Sequence, residues 1–138
     1  MNKKIEVRYL SKTGNTEKLA IAIGDELGVN PKSISEKLTG SVDILFLGGA
    51  YYGFMIDPSL KEFINELKDV KRVAIFTTSA IAKGVYKGIK KEINKDIVVL
   101  DEHFYCKGEY KFLNKNRPNE EDIIAVKEFA RKIVDYIK

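Results

Sequence analysis

A chain of 138 residues, 44% hydrophobic and 32% charged, has the length for one domain with a buried core, and its composition fits a soluble globular protein. One Cys and one His exclude an internal disulfide, consistent with a reducing cytoplasm, and argue against a structural metal site. The net charge of +4 is uneven, with 9 Lys/Arg and 10 Asp/Glu in residues 1–69 against 15 and 10 in residues 70–138, yet no nucleic-acid recognition motif accompanies the basic half.

Met1 to Lys4 lead straight into a strand pattern, so no signal peptide is expected. Ile5 to Leu10 alternates as a strand, and Ser11 to Thr16 follows as a turn rich in hydroxyls. A helix is expected from Thr16 to Leu27, with Leu19, Ala20, Ile23 and Leu27 on one face and Gly28 as its C-cap. Val29 to Ile34 is a weak strand, and Pro31 places it at a sheet edge. Val42 to Gly49 is nearly all apolar, as a central parallel strand buried on both faces would be. The longest apolar stretch, Ile44 to Ile56, falls short of the roughly 20 residues of a spanning helix, so no membrane segment is expected.

Ala50 to Pro58 reads as an aromatic loop containing Tyr51, Tyr52 and Gly53, followed by a helix over Ser59 to Leu67. Arg72 to Thr77 is a second buried strand ending in a polar loop, Thr77-Thr78-Ser79-Ala80. A helix over Ala82 to Asn94 precedes a last strand, which starts at Ile97 and reaches Tyr105 or Cys106. A polar connection runs to Asn119, and Glu120-Glu121-Asp122 open a final helix whose acidic start complements its dipole. Five strands alternating with four helices predict a single α/β domain over residues 1–138, a three-layer α/β/α sandwich on a five-stranded parallel sheet. The edge position of the Pro31 strand suits the order 2-1-3-4-5, which opens a ligand crevice at the carboxyl ends of strands one and three.

The chemistry of that crevice rests on Ser11-Lys12-Thr13-Gly14-Asn15-Thr16. A strand-to-helix turn with free N–H groups, hydroxyls and an amide suits an anion, and the helix dipole adds favourable potential. It holds no charged base, so it reads as a phosphate cradle and no residue is assigned as catalytic. It lacks the G-x-x-x-x-G-K-[ST] of a Walker A loop and the G-x-G-x-x-G of a dinucleotide fingerprint. The pattern [ST]-x-T-G-N-T after a first strand closely resembles the FMN phosphate loop of flavodoxins. Gly48-Gly49-Ala50-Tyr51-Tyr52-Gly53, Phe104-Tyr105-Cys106-Lys107-Gly108 and Arg117-Pro118-Asn119-Glu120-Glu121-Asp122 extend the resemblance over the whole chain, to the short-chain, flavodoxin-like proteins.

The resemblance implies FMN as cofactor and one-electron transfer as function. Ser11, Thr13, Asn15 and Thr16 would hold the phosphate through side chains, and Lys12 and Gly14 mainly through backbone N–H. Tyr51 or Tyr52 would stack on the flavin ring beside Ala50. The Gly53 peptide would rotate to meet flavin N5–H after reduction, and Thr77, Thr78, Ser79 and Ala80 would frame the pyrimidine edge. Two features depart from the family: a pI near 9.0 where electron-shuttling flavodoxins are usually acidic, and no aromatic residue in Thr77–Ala80. An FMN-dependent reductase of quinone-like acceptors and a regulatory module on the same fold are the alternatives, and no nicotinamide motif supports the first. Residues 83–95, with Lys83, Lys87, Lys90, Lys91 and Lys95 against Glu92, suggest a redox partner with an acidic docking surface. His103 and Cys106 read as an ordinary strand-end histidine and a small buried residue, and Asp101 and Glu102 would face opposite ways along a strand.

Overall fold

Strand β1 (Ile5–Tyr9) runs parallel to β3 (Val42–Tyr52), and β3 in turn runs parallel to β5 (Val70–Ser79). The computed structural model describes residues 3–52, 55–81 and 84–137. Within β3 the side chains alternate between two hydrophobic layers. Ile44 and Phe46 join Leu19 and Ile23 of α1 (Asn15–Leu27) and Val126, Phe129 and Ile133 of α4 (Glu120–Tyr136). Leu45 and Leu47 join Leu60 and Ile64 of α2 (Pro58–Asn65) and Val85 and Ile89 of α3 (Val85–Glu92). All four of these β3 side chains are fully buried. The unbroken apolar run is thus a strand covered by helices on both sides, the three-layer sandwich expected.

The edge strand is β2 (Lys32–Ser33), paired with Arg8 and Tyr9 directly after Pro31. At the other edge the single last strand expected is two, β6 (Val98–Val99) and β7 (Phe104–Lys107), both parallel to β5. Val73 faces Val99 and Phe76 faces Phe104, so five steps along the edge answer three along β5. The surplus falls on Asp101 and Glu102, which leave the sheet for solvent and pair with Lys90 and Lys132. With β6 and β7 counted as one interrupted strand, the order is the 2-1-3-4-5 expected.

Two segments expected to be loops are strand ends. β3 continues through Ala50 to Tyr52, and β5 through Thr77 to Ser79. Gly49 and Ala50 register with Thr77 and Thr78, and Thr77 and Thr78 register on the other side with Tyr105 and Cys106. Threonine and tyrosine are good strand formers, and this added pairing holds them in the sheet. Tyr51 and Tyr52 also pair antiparallel with β4 (Met55–Ile56), a short return that the sequence reading did not include. Helix α3 starts at Val85 rather than Ala82, after Gly84 in a left-handed conformation (φ 89°). Among the described residues no helix is long and apolar enough to cross a membrane.

Candidate functional site

The parallel strands bring the ends of β1, β3 and β5 to one rim, and the residues singled out in the sequence lie along it. The first is the turn into α1. Gly14 occupies the N-cap position with φ 90°, and an added Cβ there would meet nothing within 4 Å. Having no side chain, Gly14 cannot cap, and no side-chain hydrogen bond covers the start of α1. α2 and α4 differ: Asp57 accepts the Ser59 N–H at 2.8 Å, and Asn119 and Asp122 form a reciprocal capping box. The uncapped start of α1 therefore presents backbone donors and positive dipole potential at the rim.

The cradle residues are placed unequally. Thr13 is exposed, and the Ser11 hydroxyl accepts the Gly14 N–H at 3.1 Å. Asn15 donates its amide to the Glu109 carbonyl at 2.9 Å and lies against Gly108, whose missing side chain leaves room for it. Thr16 is buried, with its hydroxyl 2.9 Å from that of Thr78. This bond ties the turn after β1 to the end of β5. Lys12 reaches across to the Asp57 carboxylate at 2.7 Å. The Lys12 ammonium, followed by the Ser59 hydroxyl and N–H, holds the Asp57 carboxyl down to about 2.

On β3, Ala50 is buried and Tyr51 is half-buried against the α2–α3 layer. The Tyr51 hydroxyl donates to the Gly84 carbonyl at 3.1 Å, and its ring end occupies the space a side chain on Gly88 would need. Of Tyr52 the structure gives the backbone, paired with Met55, and Gly53 lies outside the described residues. Thr77, Thr78 and Ser79 are buried, and Ala80 is half-buried. The Thr77 hydroxyl donates to the Phe104 carbonyl at 3.4 Å, and the Ser79 carbonyl accepts the Gly108 N–H at 3.1 Å. Ala80 accepts the Asn114 amide at 2.9 Å.

The segment 108–117, which the sequence reading treated as a polar connection, is a fourth wall of the rim. It touches the cradle through Glu109 and Asn15, and the end of β5 through Asn114 and Ala80. Arg117 anchors it to α4 with two bonds to Asp122, at 2.6 and 2.8 Å. Burial alone would raise the pKa of Asp122, but the Arg117 guanidinium and the Asn119 N–H outweigh it and hold it lowered. The polar side chains Asn15, Glu109 and Asn114 were the available signal for this wall; their partners are set by long-range folding.

His103 and Cys106 take no part in the rim chemistry. The His103 ring lies flat on Tyr86 with centroids 3.9 Å apart, and this partial burial lowers its pKa. Tyr86, the first aromatic residue after the third rim segment in sequence, donates its hydroxyl to the Leu100 carbonyl at 2.9 Å. Cys106 is buried, and that burial, with the Asp122 charge, pushes its thiol up to about 12. Such a thiol is a packing group and not a nucleophile. Among the described residues no cluster of His, Cys, Asp or Glu could hold a metal.

A doubly wound parallel α/β sandwich with an uncapped, hydroxyl-rich turn after its first strand defines the class: a flavodoxin-like protein. The flavodoxin-domain family matches residues 7–118, and the chain belongs to that family. An uncharacterized protein of Methanocaldococcus jannaschii (MJ0298) is 32% identical over 136 aligned positions, covering 87% of this chain and 90% of its own. Among solved structures, oxidised Flavodoxin 2 from Bacillus cereus superposes with a TM-score of 0.71 at 19% identity, over 96% of this chain and 99% of that one. A short-chain flavodoxin associated with a non-canonical PDU bacterial microcompartment gives 0.71 at 18% identity, over 98% and 99%. A flavodoxin from the domain Archaea gives 0.65 at 17%, over 97% and 98%. At these identities the structural likeness speaks for the fold.

Proposed function

We propose that this chain binds FMN at the rim and carries electrons between redox partner proteins, one of them with an acidic docking surface. The observation that carries the reading is the uncapped N-terminus of α1 behind Gly14, flanked by Ser11, exposed Thr13 and Asn15. A phosphate dianion suits such a turn because helix N–H groups, hydroxyls and an amide all donate to it. Thr16 holds the turn in place through Thr78, and Lys12 ties it to the start of α2 through Asp57. Tyr51 or Tyr52, with Ala50 and Gly53, would carry the ring on one side, and the rim ends of Thr77, Thr78, Ser79 and Ala80 would line its edge. When bound, FMN supplies the one-electron chemistry. The chain supplies the cradle, the covering of the ring and the choice of partner.

The test has two stages. Purified protein titrated with FMN should develop the absorbance bands of bound flavin, and a chain that takes up no FMN sinks the proposal. Thr13→Ala should then weaken FMN far more than riboflavin, because riboflavin lacks the phosphate. A charge-assisted hydrogen bond is worth about 1.5–3 kcal/mol. Equal losses for the two ligands would move the phosphate away from this turn.

A further inference from the structure

The loop between β7 and α4 ends in a rigid, basic, aromatic tip. Tyr110 and Leu113 exchange two backbone hydrogen bonds, at 3.1 and 2.9 Å, and close a tight turn with Lys111 and Phe112 at its apex. Phe112 is 90% exposed, the most exposed large apolar side chain among the described residues. The base of the turn is fixed from several sides. Gly108 N–H donates to Ser79, Glu109 N–H to Arg117 and Arg117 N–H to Asn114, while the Asn114 side chain donates to both Ala80 and Gly108. Phe112 is thus held out into water by a framework and is not the end of a loose loop. Tyr110 and Leu113, which close the turn, are partly exposed beside it.

The charge of this tip is mostly positive, with Lys107, Lys111 and Lys115 against Glu109. Among the described residues Lys107, Lys111 and Lys115 form no ion pair, and Lys111 lies over the Tyr110 ring at 5.4 Å. The one carboxylate within residues 107–115, that of Glu109, accepts the Asn116 N–H at 2.6 Å. An aromatic side chain on a pre-ordered turn that also carries lysines suits an anchor at an interface, because little ordering entropy is lost when it docks.

We propose that residues 107–115 are the docking element for a protein partner, with Phe112 entering an apolar pocket on that partner and the three lysines meeting carboxylates around it. The inference rests on the reading of the chain as an FMN electron carrier, since this loop is bonded to the cradle at Asn15 and would bring the partner next to the flavin. A protein is favoured over an anionic lipid surface on apolar area. Membrane binding grows with the apolar area inserted, and in this turn only Phe112 is almost fully exposed, Tyr110 and Leu113 being 49% and 39% exposed.

The experiment uses the whole chain with two haem proteins as probes, acidic cytochrome b5 and basic cytochrome c. Wild type, Phe112→Ser and the double reversal Lys111→Glu/Lys115→Glu are first titrated with FMN, which none of these changes should affect. The FMN-loaded, reduced proteins are then mixed with each probe in a stopped-flow instrument. Wild type should reduce cytochrome b5 with a rate that falls as salt rises. Both variants should lower that rate by about tenfold or more at low salt. Unchanged rates in both variants, with FMN affinity intact, overturn the proposal. Calorimetric titration of cytochrome b5 into the flavin-free chain separates the two readings. Binding by wild type that the variants lose supports docking even if the chain takes up no flavin, and no binding by wild type overturns it. Sedimentation with phosphatidylserine vesicles, lost in Phe112→Ser while cytochrome b5 reduction is unaffected, would reassign the tip to lipid.

Discussion

Gly48 shows how tightly individual positions near the rim are set. A Cβ there would lie 2.9 Å from the Thr16 methyl and overlap the Phe76 ring. Gly48→Ala should therefore cost about 1–3 kcal/mol, as overpacking of a well-filled core does, and should also disturb the cradle through Thr16. Urea unfolding of the variant checks this, and a midpoint equal to wild type would show that Phe76 moves aside freely. Gly14 is set for the opposite reason: space is open around it, and only its φ of 90° asks for glycine. The cradle residues were legible because their types and order are local. Their commitments were not. That the Thr16 hydroxyl meets Thr78 and the Asn15 amide meets Glu109 depends on residues 62 and 94 positions away, brought there by the sheet and by the wall at 108–117.

At the scale of elements, the start of α2 joins the cradle to the opposite face of the sheet. Asp57 caps α2 through the Ser59 N–H and hydroxyl and accepts Lys12 from the α1 turn. Its carboxyl is held at about 2 in the folded chain, below the roughly 3.9 of an unfolded aspartate. A depressed carboxylate contributes stability that is complete above the unfolded value and is lost as pH falls through the folded one. Wild type should thus be more stable than Asp57→Asn at pH 5, and the difference should shrink steadily toward pH 2. Paired urea titrations across that range measure it, and a pH-independent difference would show that the charge of Asp57 does not matter. Helix positions and the central strands were readable here because apolar periodicity and caps are local signals. The strand ends were not, since Thr77 to Ser79 and Ala50 to Tyr52 are held in the sheet by neighbours rather than by their own pattern. The break between β6 and β7 likewise follows from a register mismatch with β5 that the run from Ile97 to Cys106 does not display.

Across the whole molecule, the rim collects segments from both hydrophobic layers. The turn after β1 leads into α1, which packs with α4 on one face, while Asp57 and Gly84 begin the two helices of the other. The wall at 108–117 is fixed to α4 through Arg117 and Asp122 and to β5 through Gly108 and Asn114. A ligand that contacts the α1 turn, the ends of β3 and β5 and the base of this wall at Gly108 and Glu109 would therefore bind only where both layers are assembled, and would bind the unfolded chain negligibly. Under that condition it stabilises by mass action, by about 2.7 kcal/mol at a concentration one hundred times its Kd. For a chain of this length that amounts to a rise in Tm of roughly 9 °C. FMN should produce this rise in a differential scanning experiment, and riboflavin at the same concentration should produce less, since the α1 turn meets only the phosphate. Thr13→Ala should reduce the difference between the two ligands without changing the Tm of the flavin-free chain, because the exposed Thr13 adds little to the fold. A Tm unmoved by millimolar FMN in a cooperatively folding sample would show that the rim does not take this ligand.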